Sequence, residues 1–313
     1  MARFPAILIG VLLLVLGSAL ADASASYLVA RDAADVRLQV DGEGFALVSY
    51  RDENGQERRV LVWGAVNARH PSPDETQVAF SVDRSGGWHT FRRKVWRAFT
   101  DRCAPYDGPA LGWLLTACEA PDGSYWALQA WQRTLPALGR RPTTRIETAS
   151  ELRLSHWTGE PARLEVWQDW KYSARLSSVF GRYTYRGVPV YGFSATPAGH
   201  VLDGFGRIVY FDTYNSGYGP GWWRADGFLT HRPTGVFCAV FAEALHGEHG
   251  VNRGRGERYR LTAEGPGVTP DVTWEEPALP EFDASNPDLV RHEKAMNALI
   301  QSLADTDPSC NVP

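Results

Sequence analysis

The residues best suited to chemistry lie between Tyr183 and Phe241. Glycines at 187, 192, 199, 204, 206, 217, 219, 221 and 227 alternate there with Tyr210, Tyr214, Tyr218, Trp222 and Trp223. Among them stand Asp203, Asp212, Asn215, Arg224, Asp226 and His231. A carbohydrate site needs that mixture, because flat aromatic faces cover the C–H faces of a sugar while carboxylates, amides and guanidinium groups satisfy its hydroxyls. Glycines let the backbone approach a ligand closely. The expected ligand-binding set is Asp212, Tyr214, Asn215, Tyr218, Trp222, Trp223, Arg224 and His231, carried on loops over 199–231. The competing structural account is that tyrosine and tryptophan fill β-sandwich cores and glycines mark turns; it also covers Trp126, Trp131, Trp167 and Trp170, which fall in regular strand patterns.

Glycoside hydrolysis would require two carboxylates about 5 to 9.5 Å apart. Glu165 and Asp169 share one strand face, but four extended residues separate them by about 13 Å. The candidate acid pair is therefore Glu165 or Asp169 with Asp203 or Asp212, brought together across sheets. Ser194 and Ser216 lack the G-x-S-x-G elbow of a nucleophilic serine. His246-Gly247-Glu248-His249 lacks the H-E-x-x-H spacing and a neighbouring third ligand, so no metal site is expected. No phosphate-binding or dinucleotide-binding glycine motif occurs, and no cofactor is expected.

Four cysteines, Cys103, Cys118, Cys238 and Cys310, suit two disulfides in an exported chain. The expected pairs are Cys103–Cys118, around a turn-rich stretch, and Cys238–Cys310, holding the tail. The alternative for Cys238 is a thiol buried in a strand.

Export is read from the N-terminus. Arg3 precedes the apolar run Ala6–Leu16, and the small residues of Ala19-Leu20-Ala21 and Ala23-Ser24-Ala25 follow. The run is shorter than the roughly 20 residues of a spanning helix. Residues 1–25 are thus expected to form a signal peptide cut after Ala21 or Ala25, leaving no transmembrane anchor and placing a bacterial protein in the periplasm or outside the cell. The formal charge of −4 at pH 7 gives no overall attraction to nucleic acid or to an anionic membrane surface.

The elements that must position these residues read as β structure. Val36, Leu38 and Val40 alternate with polar neighbours, and Phe45–Tyr50 and Arg59–Trp63 flank an Asn54-Gly55 hairpin signal. Further strands are expected over 124–131, 152–155, 164–170, 183–185, 188–193, 208–214, 236–241, 259–263 and 272–274. Residues 88–102 carry both helical and extended signals, and extended structure is expected there. The fold class is mainly β, a β-sandwich or jelly roll of antiparallel sheets with one C-terminal α-helix capped by Asn286. Residues 26–275 form the globular part, with 134–150 as the candidate internal boundary, and 276–313 supply linker, helix and tail. Taken together, the sequence leads to a secreted noncatalytic protein binding a carbohydrate or another envelope ligand. The alternatives are a glycan-active hydrolase and an envelope protein-interaction module.

Overall fold

The computed structural model describes residues 26–64, 80–137, 140–171, 176–190, 208–229, 235–240 and 255–304. Among the described residues, seventeen antiparallel strands form four sheets. Sheet 1 runs β2-β3-β4-β5, from β2 (Ala34–Val40), β3 (Phe45–Arg51), β4 (Glu57–Gly64) and β5 (Phe80–Asp83). Sheet 2 runs β1-β9-β8-β7-β6, from β1 (Tyr27–Arg31), β6 (Ala104–Pro105), β7 (Leu114–Glu119), β8 (Tyr125–Gln132) and β9 (Ser150–Trp157). Sheet 3 runs β14-β13-β16-β17, from β13 (Ile208–Ser216), β14 (Gly219–Leu229), β16 (Arg258–Ala263) and β17 (Val272–Pro277). Sheet 4 sets β11 (Leu176–Tyr185) between β10 (Arg163–Lys171) and the pair β12 (Val188–Pro189) and β15 (Val236–Val240). The helices are α1 (Trp88–Phe91), α2 (Arg145–Thr148) and α3 (Pro287–Ala304).

Period-two alternation explains how the sheets stack. In β3 and β4, Ala46, Val48, Val60 and Val62 face sheet 2 and meet Trp126, Leu128, Leu152 and Leu154 in one apolar core. In sheets 3 and 4, Val209, Phe211, Tyr259 and Leu261 meet Val179, Tyr183 and Phe237 in a second. The far face of sheet 4 is covered by α3, where Ile300 and Met296 pack on Phe180, Val236 and Trp167. Asn286 caps that helix as its residue type predicts, its Oδ1 accepting from the Asp288 amide at 2.9 Å.

The expected mainly β sandwich with a C-terminal helix is the observed fold class, and two departures follow from local chemistry. Residues 88–102 are not extended: α1 and a 3-10 turn over Val95–Arg97 occupy them. Gly86 and Gly87, with φ of 65° and 102°, turn the chain sharply out of β5. The Asp83 carboxylate then accepts from the amides of Ser85 (2.8 Å) and Thr90 (2.7 Å), closing the turn. Residues 219–229 are not a loop either, since β14 pairs with β13 along Ile208↔Leu229 to Ser216↔Gly219, with irregularities beside Asp212 and Ser216. The candidate boundary 134–150 contains α2 and leads back into β9 of sheet 2; the chain passes to the second pair of sheets over residues 158–162.

The disulfide Cys103–Cys118 is present and ties β6 to β7. Cys238 is disulfide-bonded as well, and no described cysteine is free. Cys310 lies outside the described residues, as do residues 1–25, where a signal peptide is expected, Asp203, His231 and the 246–249 histidine pair. No helix among the described residues is long and apolar enough to cross a membrane.

Candidate functional site

The outward face of sheet 3 holds most of the expected site. Val209, Phe211 and Thr213 of β13 point into the core, so Tyr210, Asp212 and Tyr214 point away from it. Pairing sets Arg224 opposite Asp212 on β14 and Trp222 opposite Tyr214; from β16, Arg260 and Arg258 stand opposite the same two residues. Charged and aromatic side chains thus share one face, which meets the outward face of sheet 2.

At the buried end of this face, carboxylates and guanidinium groups neutralise one another. Arg224 Nε donates to Asp212 Oδ1 at 2.5 Å, and Arg260 Nη2 to Asp212 Oδ2 at 3.1 Å. Arg224 Nη1 also donates to the Arg133 carbonyl at 2.9 Å. Arg133, at the end of β8, pairs with Glu264, with Asp271 at 2.8 Å and with Glu151 at 3.1 Å. Arg153 completes the set by donating to Glu151 at 2.8 Å. With Arg31, which also donates to Glu151 at 3.0 Å, five arginines meet four carboxylates. Burial alone would depress the Arg133 guanidinium, but the Asp271 and Glu264 charges outweigh it and raise its pKa.

Asp271 is the keystone. It is fully buried, and its Oδ2 accepts from Trp131 Nε1 at 2.9 Å as well as from Arg133. Its Oδ1 accepts from the Gly265 amide at 3.1 Å, and its own amide donates to Gln129 Oε1 at 2.8 Å. Gln129 Nε2 returns a bond to the Asp271 carbonyl at 2.8 Å. The loop between β16 and β17 is thereby plugged into sheet 2, where its Val268 carbonyl also accepts from the His156 amide at 2.9 Å.

Aromatic rings fill the spaces between the charges. Trp113 stacks on Trp131 at 6.0 Å, and Tyr210 meets Trp131 edge-on at 5.5 Å. Arg224 lies 4.1 Å from the Tyr210 ring centre, and Arg260 lies 4.0 Å from that of Trp222. Burial, reinforced by Glu264, pushes the Tyr210 hydroxyl up to about 12. Asp212 and Arg224 are consequently buried; Trp223, opposite the core-facing Thr213, is buried on the other face at 4 % exposure with Tyr218 stacked on it.

The open end of the same face is different. Tyr214 and Trp222 are half-buried with ring centres 5.2 Å apart. Asn215, at φ 52°, accepts from the Gly221 amide at 2.8 Å and donates to Glu257 at 2.9 Å, which fixes the tip of the hairpin. Exposed Arg258 pairs with Glu275 beside Trp222.

Of the candidate acids, the three described, Glu165, Asp169 and Asp212, do not form the expected pair across sheets. Glu165 and Asp169 point outward from sheet 4, Glu165 accepting from Arg182 at 2.7 Å, whereas Asp212 points outward from sheet 3. Two sheets and the core about 10 Å thick stand between them. Asp169 is fully buried, and burial pushes its pKa up to about 6 against the opposing charge of Lys171, whose Nζ lies 4.0 Å away. Of the tryptophans expected to be structural, Trp126, Trp131 and Trp170 are buried, while Trp167 is half-buried and stacks on Phe180 at 5.6 Å.

Sequence reasoning missed Arg133, Glu151, Arg153, Arg260, Glu264, Asp271 and Trp113. One signal was available: Gly265-Pro266-Gly267-Val268-Thr269-Pro270 has little polarity for a surface loop and ends in an acid. Among the described residues no cluster of histidine, cysteine and carboxylate has metal-holding geometry. Compared with known proteins, the sequence matches no family model and no curated protein.

Proposed function

We propose that this is a noncatalytic extracytoplasmic binding protein that takes a carbohydrate or related envelope ligand at the open end of sheet 3. The observation carrying this reading is the Tyr214–Trp222 pair, half-buried and bordered by Asn215, Glu257 and Arg258. Aromatic faces beside amide, carboxylate and guanidinium groups are the chemistry that sugar recognition requires. The expected site thereby contracts. Asp212 and Arg224 bind each other and hold the platform from beneath, Trp223 anchors β14, and Tyr214, Asn215, Tyr218 and Trp222 remain for contact.

The disulfides and the N-terminal sequence support an extracytoplasmic setting. A glycan array run beside a panel of glycosidase substrates tests the reading. Trp222→Ala is expected to weaken glycan binding at least tenfold and to lower the melting temperature little. Undiminished binding by that variant, or turnover of any substrate in the panel, would overturn it.

A further inference from the structure

The net charge of −4 conceals a segregated surface. Between Arg84 and Arg102 the chain carries Arg84, Arg92, Arg93, Lys94, Arg97 and Arg102 against Asp101 alone, a balance of +5 that leaves −9 for all other residues. Arg84 turns to β1, where its Nη1 donates to the Val29 carbonyl at 3.0 Å, whereas residues 88–97 lie against the outer face of sheet 1. Phe91 meets Phe45 at 5.7 Å and Trp63 at 5.5 Å, and Trp96 lies under the Arg59 guanidinium at 4.1 Å.

The segment is fastened at its base. Burial alone would raise the Asp83 pKa, but the Ser85 hydroxyl and the amides of Thr90 and Ser85 hold it down to about 2. The turn that this carboxylate closes buries no residue of α1. Trp88 therefore stands 53 % exposed and Phe91 37 % exposed. Arg92, Arg93, Lys94 and Arg97 are exposed beside them, and none has an acidic partner among the described residues.

We propose that residues 88–97 dock the protein on a phosphate-bearing lipid surface. An indole and a phenyl ring presented among unpaired cations suit the boundary between headgroups and acyl chains, where aromatic rings settle and basic side chains meet phosphates. An acidic protein would satisfy the cations but leave Trp88 without an apolar counterpart. This surface lies on sheet 1, separate from the proposed ligand platform on sheet 3, so the two readings stand or fall independently.

The test is flotation of the processed protein with vesicles of equal phosphatidylglycerol and phosphatidylcholine, and with vesicles of phosphatidylcholine alone. Binding is expected only to the anionic vesicles and should fall as salt approaches 0.5 M. The triple variant R92Q/R93Q/K94Q is expected to bind about 100-fold more weakly, at about fivefold per cation. Trp88→Ser is expected to lose about tenfold more than its unchanged charge accounts for. If Trp88→Ser does not fold, the triple variant, altered only at exposed positions, still decides the matter. Equal binding to both vesicle types, or undiminished binding by the triple variant, would overturn the proposal. So would binding to heparin or an oligonucleotide with none to vesicles.

Discussion

Between sheets 1 and 2, Val48, Val60, Trp126 and Leu154 meet in a core that buries almost nothing charged; between sheets 2 and 3, Arg133, Arg224 and Arg260 meet Asp212, Glu264 and Asp271. The first contact is non-directional, so any residue of suitable size and apolarity contributes. The second depends on each partner. A buried guanidinium or carboxylate is tolerated only while its counter-charge and hydrogen bonds are in place. Cores of the first kind make each pair of sheets stable. A junction of the second kind fixes how the pairs meet, and with it the position of the Tyr214–Trp222 platform.

The largest effects should come from breaking either contact. Trp126→Ala, which empties a fully buried site, is expected to cost about 3 to 5 kcal/mol. Asp271→Ala is expected to cost about as much, because it removes one of the carboxylates that balance the buried Arg133 and leaves Trp131 Nε1 without its acceptor. Calorimetry separates the two. Asp271→Ala should split unfolding into two transitions as the sheet pairs uncouple, whereas Trp126→Ala should lower the melting of the first pair.

Opening the Cys103–Cys118 bridge by a double serine substitution is expected to cost about 3 kcal/mol for its separation of 15 residues. Thiol titration of the denatured, unreduced protein should detect no thiol.

The covered face of sheet 4 should show the next smaller effect. Asp169 has a folded pKa of about 6 against an ordinary 3.8, so the protonated acid is the form the fold favours. Its contribution is complete below pH 3.8 and is lost as pH rises through 6. Melting temperatures of Asp169→Asn and the parent should therefore diverge across that window, the parent losing on the order of 2 kcal/mol that the variant keeps. A constant difference from pH 4 to 7 would contradict this assignment. Least affected should be an exposed pair such as Arg145–Glu53, where Arg145→Ala is expected to change stability by about 0.5 kcal/mol or less.

Much of the strand pattern was legible because each sheet has one apolar face. β2, β3, β4, β8, β10, β13 and β16 all fall where alternation or an apolar run predicts them. β14 was hidden by Gly219, Gly221 and Gly227, which read as loop but serve an irregular strand. The 88–102 segment was misread because its aromatic residues fit a strand, while the deciding interaction, Asp83 with Thr90, is a hydrogen bond that periodicity does not register. In the candidate site, Asp212, Arg224 and Trp222 were picked out by residue type. Their unequal burial was not, because it depends on what sheet 2 lays over one end of the face.

By itself the sequence determined the fold class, the C-terminal helix with its Asn286 cap and the Cys103–Cys118 bridge, since alternation, capping chemistry and short cysteine spacing are local properties. Only the tertiary structure decided that four sheets stack as two cores joined by a charged seam, and that Asp169 and Asp212 lie on opposite sides of one sandwich. It also decided that Trp223 is buried while Trp222 reaches the surface. The reason is distance along the chain. Asp271 is 138 residues from Arg133, and no local pattern records a partner that folding must bring that far.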